Sequence, residues 1–276
     1  MNKRIANKIA IGVFWASAGI TVVALFAIIL YVLVRGIGAL TPSFIFTWPH
    51  GVNAEGGIFP TIISSIYVTG LAMLIATPIA VLAAVYLAEY AKQGRIVTLI
   101  RFAADSLSSV PSIVMGLFGM AFFVEAGGLP FSMLAAALTL SLLMLPIIMR
   151  TTEEAIRSVE RYIRWGSYGM GATKWQTVSR VVLPAAMGRI FTGLILAMGR
   201  AIGETAVVFY TMGQAINLPV MPLDSGRSMP VHLYLLAVEG INMPAAYGTA
   251  LLLMILILGF NLVARYISNR YKKKTR

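Results

Sequence analysis

Residues 12–34 read GVFWASAGITVVALFAIILYVLV, with no charged side chain. About 20 apolar residues in a helix cross the hydrocarbon core of a bilayer, so this stretch is long enough to span one. Comparable windows recur at Thr61–Ala88, which contains Pro78, and at Ser106–Val124, with Pro111 near its start. After the turn Gly127-Gly128-Leu129-Pro130 a fourth begins near Ser132. A fifth starts after Pro184 and is expected to run past Tyr210, with Arg200 and Glu204 inside it. Gly240–Ala264 is the sixth, and its opening Asn242-Met243-Pro244 suits a helix start because proline is tolerated in the first turn. The pattern predicts an all-α, polytopic membrane protein with six transmembrane helices.

Composition agrees. Of 276 residues 59% are hydrophobic and 12% charged, against about 45–50% and about 25% in soluble domains. Mean hydropathy is +0.85. Too few charges remain to cover a soluble enzyme, and disorder is excluded on the same ground. The chain has no cysteine and two distant histidines, His50 and His232. Disulfides, thiolate nucleophiles and cysteine metal sites are therefore out of reach, and no metal site is expected. The basic start, Met1–Ala10, resembles a signal peptide, but the following apolar run lacks a cleavage pattern and is taken as a retained helix.

The formal net charge is +12. In a soluble protein this would suggest nucleic acid. Here 19 of the 22 basic residues fall on one side of the six-helix topology, in the termini and the second and fourth connections. Such a bias marks the cytoplasmic side and places both termini there, with no nucleic-acid partner. The tail Lys272–Lys274 suits anionic lipid.

Arg35 and Arg227 fall on the opposite side, and Arg200 is left inside the membrane. It lies eleven residues beyond Arg189, or roughly 16 Å along a helix, near mid-membrane. A central arginine costs about 2.5–3.5 kcal/mol on insertion scales. On one continuous helix Glu204 would share its face and pair with it. The pair is either structural or part of an anion path; buried structural pairs are often replaceable by apolar residues, which favours the path. Arg150 either faces that path or snorkels to the interface. Ser108, Ser109 and Ser112 flank Pro111, where a broken helix can line a cavity, or else they serve small-residue packing.

The connection at about 150–184 predicts helix, glycine turn, helix. Thr151 or Thr152 is expected to cap a helix with Glu153 and Glu154 behind it. Gly171 suits a helix end and Pro184 the next start. The spacing of Gly171, Val181 and Leu183-Pro184 resembles the cytoplasmic loop of bacterial ABC-importer permeases. The resemblance implies a type I importer permease fold in a bacterial inner membrane, with this loop docking on an ATPase. Trp165, Gly166, Ser167, Gly171, Ala172, Leu183 and Pro184 take the loop's positions. Trp165 departs from the family's usual glutamate; either Arg164 or Glu160 substitutes for it, or Trp165 fills an apolar pocket.

Two further stretches, Arg200-Ala201-Ile202-Gly203-Glu204-Thr205 and Asp105–Phe118, resemble the phosphate permeases of that group. Arg150-Thr151-Thr152-Glu153-Glu154 resembles their Pst-system A-type. The likeness implies a phosphate path through Arg200, Glu204, Arg150, Ser108, Ser109, Ser112 and Thr205. It also implies a paralogous six-helix permease as heterodimer partner, two ATPase subunits and an extracytoplasmic phosphate-binding protein. No Gly-Lys dipeptide of a Walker A loop occurs. This chain is thus expected to bind no cofactor itself, ATP and magnesium being used by the ATPase. Residues 1–59 form a first helix and outer loop, 60–270 the permease core, and 271–276 a basic tail. Permeases for sulfate or molybdate, and an ATP-independent channel or membrane enzyme, are the rival readings.

Overall fold

The computed structural model describes residues 3–50 and 55–274. Among these residues five helical spans are long and apolar enough to cross a membrane: Asn7–Ala39, Phe59–Tyr90, Met133–Arg157, Lys174–Ile202 and Met243–Tyr266. A sixth is made by a pair of helices bent by 102°, Arg95–Ser109 and Ser112–Ala126. In chain order, α1 (Lys3–Gly36) leads through α2 (Pro42–Phe46) and a two-residue hairpin, Pro49–His50 on Glu55–Gly56, to α3 (Phe59–Val85). The wide turn Tyr86–Tyr90 closes α3; α4 (Arg95–Ser109), α5 (Ser112–Gly119) and α6 (Met133–Arg157) follow. The connecting helices α7 (Arg161–Gly169) and α8 (Lys174–Thr177) precede α9 (Leu183–Ile202). Short α10 (Ala206–Thr211) and α11 (Met229–Val238) then lead into α12 (Met243–Lys274).

The centre of the bundle is α3 against α6. Ala72, Ala76, Ala80 and Ala84 repeat every fourth residue of α3, and each is at most 1% exposed. Residues four apart share a helix face, so the repeat makes a smooth groove. Ala136, Ala137, Leu140 and Met144 of α6 share a buried cluster with Ala72, Ala76 and Ala80. Lipid tails are as apolar as leucine and give no hydrophobic drive to association, so small residues that allow close van der Waals contact hold such pairs. Glycines extend the principle outward: a side chain at Gly119 would run into Thr139, and one at Gly193 into Thr151. On the periphery, α1 rests on α12 through Tyr31 and Tyr247, whose hydroxyls are 3.2 Å apart. The rest of α1 exposes Phe14, Trp15 and Phe26, as a lipid-facing helix does.

Two sequence expectations change. The third span is not a straight Ser106–Val124 helix. Pro111 has no N–H to donate and forces Val110 out of helical geometry, and Val110 sits at φ −67°, ψ 129°. The charged stretch before that window and the window's first four residues form a separate amphipathic helix, α4, with Ile96, Leu99 and Phe102 exposed. The fifth span stops at Ile202 and does not run past Tyr210. Glycine at position 203 weakens the helix, and the chain resumes as α10 packed on α5. That packing requires Gly116, where a Cβ would lie 2.8 Å from the Ala206 carbonyl.

A smaller correction concerns Thr151 and Thr152. They lie inside α6, which continues to Arg157, and cap nothing. Thr151 instead donates to the Ile147 carbonyl at 2.8 Å.

Candidate functional site

Arg200 occupies the last turn of α9, and Glu204 follows the break. Arg200 is exposed and Glu204 half-buried. Neither side chain has an ion pair or hydrogen bond among the described residues. The expected Arg200–Glu204 pair is therefore not formed. The cause is the helix end: once α9 stops at Ile202, positions 200 and 204 no longer share a helical face. The guanidinium is left as an open, permanent charge.

The break also shapes the surrounding surface. Thr205 lines a cavity of about 450 Å³ with Ile113, Ala206, Phe209, Tyr210 and Tyr234. Ser112, half-buried, opens α5 next to Ile113, so the Pro111 break and the Gly203 break adjoin one cavity. Ser108 and Ser109 lie across the 102° bend, exposed at the end of α4. Ser109 is occupied locally, donating to the Ser106 carbonyl at 2.7 Å.

Arg150 lies elsewhere, where α4 meets the end of α6. It is ion-paired with Asp105 and, at 3.5 Å, with Glu154. Beside it Glu153 accepts from Arg101 at 2.8 Å and lies 2.9 Å from Arg157. These residues line a cleft of about 220 Å³. Sequence reasoning missed both helix pairs, Arg150–Glu154 and Glu153–Arg157, although their four-apart spacing is a signal that could have found them. Asp105 and Arg101, contributed by α4, had no such signal.

The helix–turn–helix of the fourth connection forms as expected. Gly171 adopts φ +83°, a left-handed conformation that favours glycine. Thr173 caps α8 in a reciprocal capping box with Gln176. Ser167 is buried and hydrogen-bonds Thr177 at 2.9 Å, tying the two helices together. Ala172 N–H donates to the Ser167 carbonyl. Leu183 and Pro184 open α9 directly after the wide turn Val178–Val182. Trp165 is 67% exposed and Gly166 exposed beside it. Arg164 is not available as a replacement for an outward glutamate. It bonds Glu89 at 2.6 Å and donates to the Ile156 and Val159 carbonyls. Arg164 thus joins α7 to the ends of both α3 and α6.

At the opposite end the segment 212–228 is tied down. Met133 and Leu134 donate to the Asp224 and Pro222 carbonyls. The Asp224 carboxylate accepts from the Val220 and Met221 amides. Those amide donors hold its pKa below the usual carboxylate value.

The match to known proteins covers most of the chain. Residues 76–273 fit the family described as binding-protein-dependent transport system inner membrane component. The chain belongs to that family. A relative from Bacillus subtilis, "Probable ABC transporter permease protein YqgI", is 35% identical and aligns over 100% of this chain and 99% of its own. "Phosphate transport system permease protein PstA 1" of Mycobacterium tuberculosis is also 35% identical, covering 99% of this chain and 92% of its own. Among solved structures, a bacterial alginate ABC transporter superposes with TM-score 0.69 at 15% identity, over 94% of both chains. The MetNI methionine transporter does so at 0.60 and 20% identity, over 78% of this chain and 94% of that one. At such identities these two carry the fold alone: it is that of ABC-importer permeases. The chain is a multi-pass membrane permease subunit, and ATP hydrolysis in such importers is the task of a separate chain.

Proposed function

We propose that this chain carries inorganic phosphate across a bacterial inner membrane as one half of a permease pair, by alternating access. The observation that carries the reading is Arg200, a guanidinium without a counter-charge among the described residues, at the broken end of a spanning helix. An unpaired intramembrane charge is costly, and a transported anion supplies the missing partner. Guanidinium binds tetrahedral oxyanions through two parallel hydrogen bonds. Glu204 stays close in sequence without masking Arg200. Its negative charge weakens the grip on the anion, so that release remains possible. Thr205 and Ser112 add neutral donors at the adjoining breaks, and Ser108 extends them along α4, joined by Ser109 when its hydroxyl turns from the Ser106 carbonyl.

Arg150 is the next cation toward the α4–α6 end. Its exposed pairs with Asp105 and Glu154 exchange readily, since such surface pairs are worth about 0–1 kcal/mol. The positive-inside bias orients this end, with both termini, to the cytoplasm. There α7 and α8 meet two ATPase subunits, which use ATP and magnesium. The paralogous permease completes the path on the open Arg200 side, and a phosphate-binding protein delivers from outside. The PstA names of the relatives support phosphate over sulfate or molybdate.

The test is uptake of labelled phosphate by the whole complex in vesicles. Uptake requires ATP and is not displaced by excess sulfate or molybdate if the reading holds. Displacement by sulfate or molybdate would reassign the cargo, and uptake without ATP would favour the channel reading.

A further inference from the structure

The face of α7 that is turned outward carries Arg161, Trp165 and Tyr168, spaced i, i+4 and i+7 on one stripe. Trp165 is 67% and Tyr168 40% exposed. Opposite the stripe lie Ala88 and Glu89 of the wide turn after α3, together with Gln93, and between them opens a cleft of about 510 Å³. The charges lining it are not equivalent. Arg164 is consumed by Glu89, and Arg157 by Glu153. Arg161 alone has no counter-charge among the described residues. Nearby, Lys174 and Arg180 add exposed positive charge, against one exposed carboxylate, Glu160.

We infer that this cleft is a carboxylate-recognition site, into which the ATPase subunit inserts an acidic side chain. The inference rests on the reading that α7 docks on an ATPase. The carboxylate would lie on the Arg161 guanidinium, with its aliphatic stem against the Trp165 ring. Two features select this occupant. The free cation is fixed on a helix that Arg164 and Ser167 lock from behind, so the site is preorganised. Its aromatic wall suits a desolvated contact, where arginine and tryptophan contribute most to protein association. The polarity is basic and aromatic on the permease, so the complementary acid belongs to the partner.

The experiment compares the intact complex with Arg161→Glu, Arg161→Gln and Trp165→Ala versions. Retention of the ATPase is measured at low and high salt, and ATP hydrolysis in vesicles with and without anionic lipid. Arg161→Glu is expected to lower retention about tenfold or more, and Arg161→Gln less. A lysine replacing an acidic ATPase residue is expected to rescue Arg161→Glu alone. Equal retention by wild type, Arg161→Glu, Arg161→Gln and Trp165→Ala would overturn the inference while leaving the docking reading intact. If wild type itself retains no ATPase, the docking reading fails. If the variants retain the ATPase and lose activity only in anionic vesicles, the cleft holds lipid headgroups and the inference is overturned.

Discussion

Two sets of arginines occupy this chain in opposite ways. At the α4, α6 and α7 end, Arg101, Arg150, Arg157 and Arg164 all have carboxylate partners. At the break after α9, Arg200 has none among the described residues, although Glu204 is four residues away. Sequence distance is a poor guide to pairing here, because Arg164 finds Glu89 across 75 residues. The contrast separates two uses of charge. The paired arginines fix where helices end relative to one another. Arg161 of α7 also has no counter-charge among the described residues, but it lies on an outward face of the connection; Arg200 is left open at the end of a spanning helix, where a structural role would have closed it.

The largest effect expected from this contrast is at Arg164. Arg164→Leu leaves Glu89, whose side chain is 8% exposed, buried without a partner, which costs about 3–5 kcal/mol. Thermal melting in detergent should fall sharply, and the double variant with Glu89→Leu should recover much of it. An unchanged melting curve would erase the distinction between the two sets.

Arg200→Leu should behave in the opposite sense. Phosphate uptake falls about 100-fold, as when a key charge-stabilising donor is removed. Melting and assembly stay at or above wild type, because an uncompensated charge has been replaced by an apolar group. Loss of assembly would move Arg200 into the structural set.

Arg150 sharpens the boundary between them. Its side chain is 64% exposed, so Arg150→Gln should change stability by no more than about 1 kcal/mol. Uptake should nonetheless drop severalfold, and wild-type uptake would assign the residue wholly to its pairs with Asp105 and Glu154.

The smallest effect concerns Asp224, held by amides instead of a cation. Its pKa is depressed in the folded chain. Its stabilisation is therefore present above the ordinary carboxylate value and lost as pH falls through the lower, folded one. Protection of the Val220 and Met221 amides from hydrogen exchange, relative to their intrinsic rates, should fall on acidification more than in Asp224→Asn; parallel profiles would count against the interaction.

The spans were legible because their apolar windows exceed what a bilayer needs. The helix–turn–helix was legible from Gly171, whose left-handed backbone is written in the residue type. The two breaks were read less well. Pro111 marks its own break, yet how far α4 turns away depends on ion pairs between α4 and α6. Gly203 ends α9 only because α10 can close on Gly116, a contact between elements about 90 residues apart that no local pattern encodes. The same holds for the site. Arg200 was conspicuous as a charge in an apolar span, whereas its lack of a partner depends on a helix end that propensity alone does not fix.

The absence of cysteine from this chain allows the central claim to be tested by restoring charge chemically. Arg200→Cys is assembled with cysteine-free partners, and phosphate uptake is measured before and after reaction with a cationic or a neutral thiol reagent of similar size. The account predicts little uptake before modification, substantial recovery with the cationic adduct and none with the neutral one. Wild-type uptake by the unmodified variant, or equal recovery with the neutral adduct, would contradict a role for positive charge at position 200.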